Sequence, residues 1–198
     1  YSATGSPGSI RHPLNSVPDF ILAKARGNAG SWMTYHSAYP GGTHGFNFQA
    51  TTGVYTDNGY WGGVSPDSNV ITLGSYTSST NDWIAYCWSA VEGYSSFGKF
   101  EPNGTTDNSF VFTGFRPKFL LLKYSSHTGD WMLLDTSRRP NGPSGGTLVA
   151  NVDNAEDNYY TSGQANIDFL SNGFKVRVTG SPFGDSGKDR HLLGSSQR

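Results

Sequence analysis

Trp83-Ile84-Ala85-Tyr86-Cys87-Trp88-Ser89-Ala90-Val91-Glu92-Gly93-Tyr94 is the longest run of apolar character in the chain, and its reading decides the fold class. Aromatic and β-branched residues dominate it, with one acid and no Lys or Arg. Asn81-Asp82 precede the run and Gly93 closes it. A stretch of this kind predicts a central strand buried on both faces. A buried helix is the competing reading. It is the weaker one, because Leu, Lys and Gln are missing and the flanking segments are rich in Gly.

Composition extends that reading to the whole chain. Of 198 residues 26 are Gly, 14% are aromatic and only 15% are charged. Helix-filling residues are scarce, so short strands joined by Gly, Asn, Asp, Ser and Pro turns are expected. The formal net charge is −1 and the basic residues are scattered, which argues against a nucleic-acid partner. No apolar run approaches the roughly 20 residues that membrane insertion needs. The chain opens on Tyr1 with no signal peptide, the expectation for a segment excised from a longer protein. Cys87 has no partner for an internal disulfide and no basic neighbour in sequence, so it reads as a small core hydrophobe.

An internal repeat organises the rest. Pro18-Asp19-Phe20-Ile21-Leu22-Ala23-Lys24 matches Pro117-Lys118-Phe119-Leu120-Leu121-Leu122-Lys123, and Gly30-Ser31-Trp32-Met33 matches Gly129-Asp130-Trp131-Met132. Both matches are offset by 99 residues, and Tyr1 and Gly5 fall against Phe100 and Gly104 at the same offset. Further on, Ser68-Asn69-Val70-Ile71 resembles Ser171-Asn172-Gly173-Phe174 at an offset of 103, as an insertion in a loop of the second copy would produce. In the first copy, strands are expected at 20–24, 32–36, 46–50, 70–74 and 83–91. In the second they are expected at 110–113, 119–124, 131–135, 147–152, 167–170 and 174–178. The continuous Phe119-Leu120-Leu121-Leu122 implies a central strand, and the alternation Phe174-Lys175-Val176-Arg177-Val178 implies one wet face. Asn172-Gly173 reads as a hairpin turn of the positive-φ type. Longer polar loops are expected at 39–43, 55–66, 137–146 and 152–164.

The expected architecture is all-β: a jelly-roll or concanavalin-like β-sandwich built from two tandem repeats, 1–99 and 100–198. A single domain over 1–198 is preferred to two small sandwiches, because 91–100 contains no linker composition. Trp32, Trp83, Trp88 and Trp131 are expected in the core.

Several motifs together carry a resemblance. These are Pro18-Asp19-Phe20-Ile21-Leu22-Ala23-Lys24, Trp32 with Tyr35-His36-Ser37, Ile84-Ala85-Tyr86-Cys87, Val91-Glu92-Gly93-Tyr94-Ser95, Gly114-Phe115-Arg116-Pro117 and Ile167-Asp168-Phe169-Leu170-Ser171-Asn172-Gly173-Phe174-Lys175. The chain resembles a repeat family frequent in tail-fibre-like proteins of marine phages. The resemblance implies a concanavalin-like sandwich in a virion tail appendage, a homotrimeric fibre, and no family-wide catalytic motif. The stretch 188–198 departs from it. It is polar where a strand like 83–91 is expected, which is how an altered or frameshifted C-terminus would read, and it leaves the second copy without its closing strand.

Catalytic chemistry finds little footing. A sandwich glycosidase needs carboxylates alternating along one strand and converging in a cleft. Glu92 stands alone and is the one catalytic candidate. Ser144 lies in a Gly-rich turn without a nucleophile elbow. The five histidines, among them His36 at a strand end, are dispersed without zinc-ligand spacing. Asp153, Glu156 and Asp157 form the one candidate cation site, for calcium. Asn103-Gly104-Thr105 is a formal glycosylation sequon. Aromatic rings in polar loops suit sugar binding better, since a pyranose stacks its apolar face on a ring while Asp and Asn take the hydroxyls. The ligand-binding candidates are Tyr55, Asp57, Asn58, Tyr60 and Trp61 in one loop, with Tyr39 and Tyr159-Tyr160 elsewhere. Alternatively, these rings fold back over the sandwich edges. The expected function is non-catalytic binding of a host-surface glycan. The alternatives are a polysaccharide hydrolase or lyase on the same sandwich and a structural spacer.

Overall fold

The computed structural model describes residues 1–2, 5–78, 81–138, 146–156, 166–180, 183–187 and 190–195, the last of these as backbone. The fold is almost entirely β and antiparallel. The chain divides into two compact units, Tyr1–Ala90 and Val91–Arg198.

The first unit contains β1 (Gly8–Arg11), β2 (Phe20–Ala25), β3 (Met33–His36), β4 (His44–Asn47), β5 (Tyr55–Thr56), a helical turn α1 (Asn58–Trp61), β6 (Val70–Leu73) and β7 (Trp83–Trp88). Five strands form one sheet in the order β5-β4-β3-β2-β7, and β1 pairs with β6 in a second. The two layers bury a common core. Ile21, Ala23 and Ala25 from β2, Tyr35 from β3 and Trp83 from β7 cluster with Ile71 from β6, and Ile10 from β1 packs against them. α1 adds two large rings to this core. Asp57 caps it by accepting the Gly59 N–H at 2.7 Å, and Gly62 ends it at φ +65°. One turn between these caps delivers Tyr60 and Trp61 inward. Gly74 lets α1 come close: a Cβ there would sit 2.4 Å from the Gly59 carbonyl oxygen.

The second unit contains β8 (Ser95–Phe100), β9 (Phe110–Phe112), β10 (Phe119–Tyr124), β11 (Trp131–Asp135), β12 (Leu148–Val149), β13 (Ile167–Leu170), β14 (Gly173–Val176) and β15 (Arg190–Ser195). Its sheets are ordered β12-β11-β10-β15-β8 and β13-β14-β9. Leu120, Leu122, Met132 and Leu134 of the larger sheet pack with Phe174, Val176, Val178 and Phe183. Asn108 is buried at the side of this core and fully satisfied. Its amide donates to the carbonyls of Val178 (2.8 Å) and Gly184 (3.1 Å), and its Oδ1 accepts the N–H groups of Asn103 and Ser109, both at 2.7 Å. Each unit is thus a two-layered β structure with its own core, and β10 lies in the middle of its sheet as its continuous apolar run implies.

Three expectations are corrected. β7 is an edge strand, not a central one. Its burial alternates, with Trp83 buried and Ile84, Tyr86 and Trp88 exposed, so Trp88 leaves the core. The polar C-terminus does form a strand: β15 pairs antiparallel with β10 from Phe119↔Ser195 to Tyr124↔Arg190, and with β8 on its other side. Backbone hydrogen bonding is indifferent to side-chain polarity, and two flanking strands supply the partners. Asn172 and Gly173 take no positive φ; the turn is Ser171-Asn172, and Gly173 already pairs with Leu170. Gly is needed at 173 for proximity instead, because a Cβ would lie 2.1 Å from the Val111 carbonyl oxygen. The short strands β1, β5 and β8 and the turn α1 were not foreseen.

Candidate ligand-binding site on β7

β7 is held firmly along one side. It pairs with β2 from Phe20↔Trp88 to Ala25↔Trp83. Asp19 clamps its far end: Oδ2 accepts the Ala90 N–H at 2.7 Å, while Oδ1 accepts the Ser37 hydroxyl at 2.9 Å. One carboxylate therefore fixes the ends of β7 and β3 together. At the other end Tyr1 and Trp83 exchange two backbone hydrogen bonds, of 2.8 and 2.7 Å. Their rings stack with centroids 6.4 Å apart, and the Tyr1 hydroxyl donates to the Thr77 carbonyl. Burial pushes the Tyr1 phenol far above its ordinary range.

The outward face of β7 is aromatic. Side chains two apart on a strand share a face, so Tyr86 and Trp88 stand side by side. Their rings stack at 6.1 Å with planes 24° apart, and they are 44% and 42% exposed. Phe20, buried beside Trp88 on the neighbouring strand, meets it in a tilted contact at 5.6 Å. The two stacked rings form an exposed aromatic platform.

Beside the platform runs a groove of about 440 Å³. One wall comes from the segment at Ile10, His12 and Leu14, the other from Trp83, Ala85 and Cys87. The lining is apolar with few polar groups. His12 Nε2 donates to the Asp67 carbonyl at 3.0 Å, which leaves the buried Nδ1 without a hydrogen-bond partner. Burial pushes the Cys87 thiol up to about 11, so it carries no thiolate at neutral pH. Among the described residues the groove lining contains no carboxylate.

The residues expected from sequence are distributed differently. Trp61 is 1% and Tyr60 8% exposed, both inside the core, which corrects the expectation of exposed stacking rings there. The reason is α1, whose two caps turn the loop into a helical turn with its rings inward. Trp61 Nε1 donates to the Thr34 carbonyl at 3.4 Å. Tyr55 is half-buried and stacks on Tyr60 at 6.3 Å. Asp57 serves as the cap and accepts the Tyr76 hydroxyl at 3.0 Å, which raises the Tyr76 phenol. Asn58 is exposed. Tyr39 is half-buried against His44, ring to ring at 5.0 Å. Glu92 is exposed in the turn between β7 and β8. His36 is buried, its Nδ1 accepting the Ala38 N–H. Asp153 and Glu156 are exposed, Glu156 lying 4.0 Å from Arg138. Among the described residues no three metal-ligating side chains cluster. Asp157, Tyr159, Tyr160 and Ser144 lie outside the described residues.

The Tyr86–Trp88 platform was missed. Its signal was present as two aromatics at i and i+2, which an alternating strand places on one face. Reading the whole run as buried on both sides hid it.

No curated protein and no solved structure matches the chain. Residues 1–191 match the model of the family described as Domain of unknown function (DUF7483), and the chain belongs to that family.

Proposed function

We propose that this protein is a non-catalytic glycan-binding module of a phage tail fibre or a similar extracellular appendage, and that Tyr86 and Trp88 form its sugar-stacking surface. The observation that carries the reading is the exposed, pre-stacked Tyr86–Trp88 pair on an edge strand. Two rings at 6.1 Å span about the footprint of adjacent sugar rings, and fixed rings cost little ordering entropy on binding. The setting in a virion tail, the homotrimeric assembly and the host-surface glycan as partner follow from the resemblance to tail-fibre repeats.

The concanavalin-like, tandem-copy organisation belongs to the same proposal. It is supported by matched pairing in the two units. β2 pairs with β3 and β7, β10 pairs with β11 and β15, and Ala25↔Trp83 has its counterpart in Tyr124↔Arg190.

The test is a bacterial surface-polysaccharide array followed by titration of any hit. Tyr86→Ala and Trp88→Ala are each expected to weaken binding roughly tenfold or more while leaving the far-ultraviolet spectrum unchanged. Wild-type affinity in the double variant overturns the site. Reducing ends released from a bound polysaccharide, and lost with Glu92→Gln, overturn the non-catalytic reading.

A further inference from the structure

Among the described residues β7 has a strand partner on one side only, β2. In an antiparallel ladder backbone groups point alternately to the two sides. The Arg26 N–H bonds the Asp82 carbonyl, so Asp82, Ile84, Tyr86 and Trp88 direct their backbone groups toward β2. Trp83, Ala85 and Cys87 direct theirs to the opposite side. There Trp83 is met by Tyr1, with both hydrogen bonds made. Among the described residues no strand continues that ladder alongside Ala85 and Cys87.

The second unit contains the same arrangement with the place filled. β15 pairs with β10 as β7 pairs with β2, and β15 carries β8 on its outer side. The registers coincide position by position. Phe100↔Arg190 stands where Tyr1↔Trp83 stands, and Ser95↔Ser195 stands where the position opposite Trp88 would be. The place held by 95–99 in the second unit is therefore the open edge along Ile84 to Trp88 in the first. That edge borders the 440 Å³ groove lined by Ala85 and Cys87.

We propose that this groove is a strand-acceptor site. Its occupant is an extended segment with the chemistry of 95–99, small and polar around one aromatic residue, which runs antiparallel to β7 and leads directly into Tyr1, as 95–99 leads into Phe100. Main-chain bonds to Ala85 and Cys87 supply the pairing, and the groove wall at Ile10 and Leu14 takes what side chains the strand turns inward. The inference rests on the register match of the two units and is independent of the glycan reading.

The experiment places Ser-Ser-Phe-Gly-Lys immediately before Tyr1 of the full chain and compares it with the chain as it stands. A control carries Ser-Pro-Phe-Pro-Lys, because the second and fourth positions are those whose N–H groups would bond Cys87 and Ala85. The two proline replacements, of Ser at the second position and Gly at the fourth, test hydrogen bonding, not mere cover. The expected result is roughly tenfold or greater slowing of amide exchange at Ala85 and Cys87, with slower alkylation of Cys87, in the first extension alone. Equal protection by both extensions, or by neither, overturns the proposal. So does concentration-dependent protection of those amides in the unextended chain together with a dimeric mass in solution, which would assign the edge to a second copy. Polysaccharide binding lost with Trp88→Ala but unaffected by the extension would separate the two sites.

Discussion

At the scale of single residues, Lys123 is the most informative titratable group. It is 1% exposed, its Nζ donates to the Gly129 carbonyl, and burial lowers its pKa from 10.5 to about 8, partly opposed by Asp130. The sign of its effect follows from linkage. Between about 8 and 10.5 the unfolded chain holds a proton that the folded chain has lost, so stability rises with pH in that window. Below it, the folded state carries the cost of a buried charge. Urea unfolding between pH 7.5 and 9.5, a range chosen to stay below ordinary tyrosine ionisation, is expected to show this rise, and Lys123→Met to flatten it. An unchanged slope in the variant would remove Lys123 as the source. Its repeat counterpart Lys24 is half-buried and donates instead to the Asn28 carbonyl in an exposed hydrogen bond, so the two lysines reach different carbonyls of their turns and only Lys123 is fully buried.

At the scale of elements, periodicity was legible where one physical demand set it. The strands Phe119–Tyr124, Trp131–Asp135 and Ile167–Leu170 fall where their apolar patterns place them. β7 was misread because aromatic rings satisfy two demands: they fill cores and they form platforms, and the run 83–88 does both on opposite faces. Tyr60 and Trp61 were misread in the opposite direction. A polar loop sequence conceals a capped helical turn, and only the Asp57 and Gly62 caps signal it. β15 escaped altogether because its place between β10 and β8 is set by backbone pairing at long range, to which composition is blind. Gly173 shows the same distinction at a turn. Its glycine answers the approach of β9 and not a positive φ, so Gly173→Ala is expected to push β9 from β14 and cost on the order of 1–3 kcal/mol. A positive-φ turn would instead be rescued by Asn. Gly173→Asn is therefore expected to be worse than Gly173→Ala in thermal melts, and the reverse order would restore the turn explanation.

At the scale of the whole molecule, the division at Ala90 and Val91 makes a claim about folding. Among the described residues, the core built on Ile21, Tyr35, Trp61 and Trp83 draws on residues before 91, and the one built on Leu120, Leu122, Phe174 and Val176 on residues after it. Among the described residues every ladder likewise closes within its own unit. Fragments 1–90 and 91–198 are near the size at which a single core suffices for stability. Each is expected to unfold cooperatively when expressed alone, as followed by near-ultraviolet circular dichroism against urea. The second fragment also tests the C-terminus. β15 lies between β10 and β8, so ending the chain at Gly187 removes an interior strand of a five-stranded sheet and strips β8 of the strand it pairs with. The truncated fragment 91–187 is expected to lose cooperative unfolding where 91–198 keeps it. A cooperative transition in 91–187 would mean that the polar C-terminus is an accessory edge, and β10 would then carry the sheet without it.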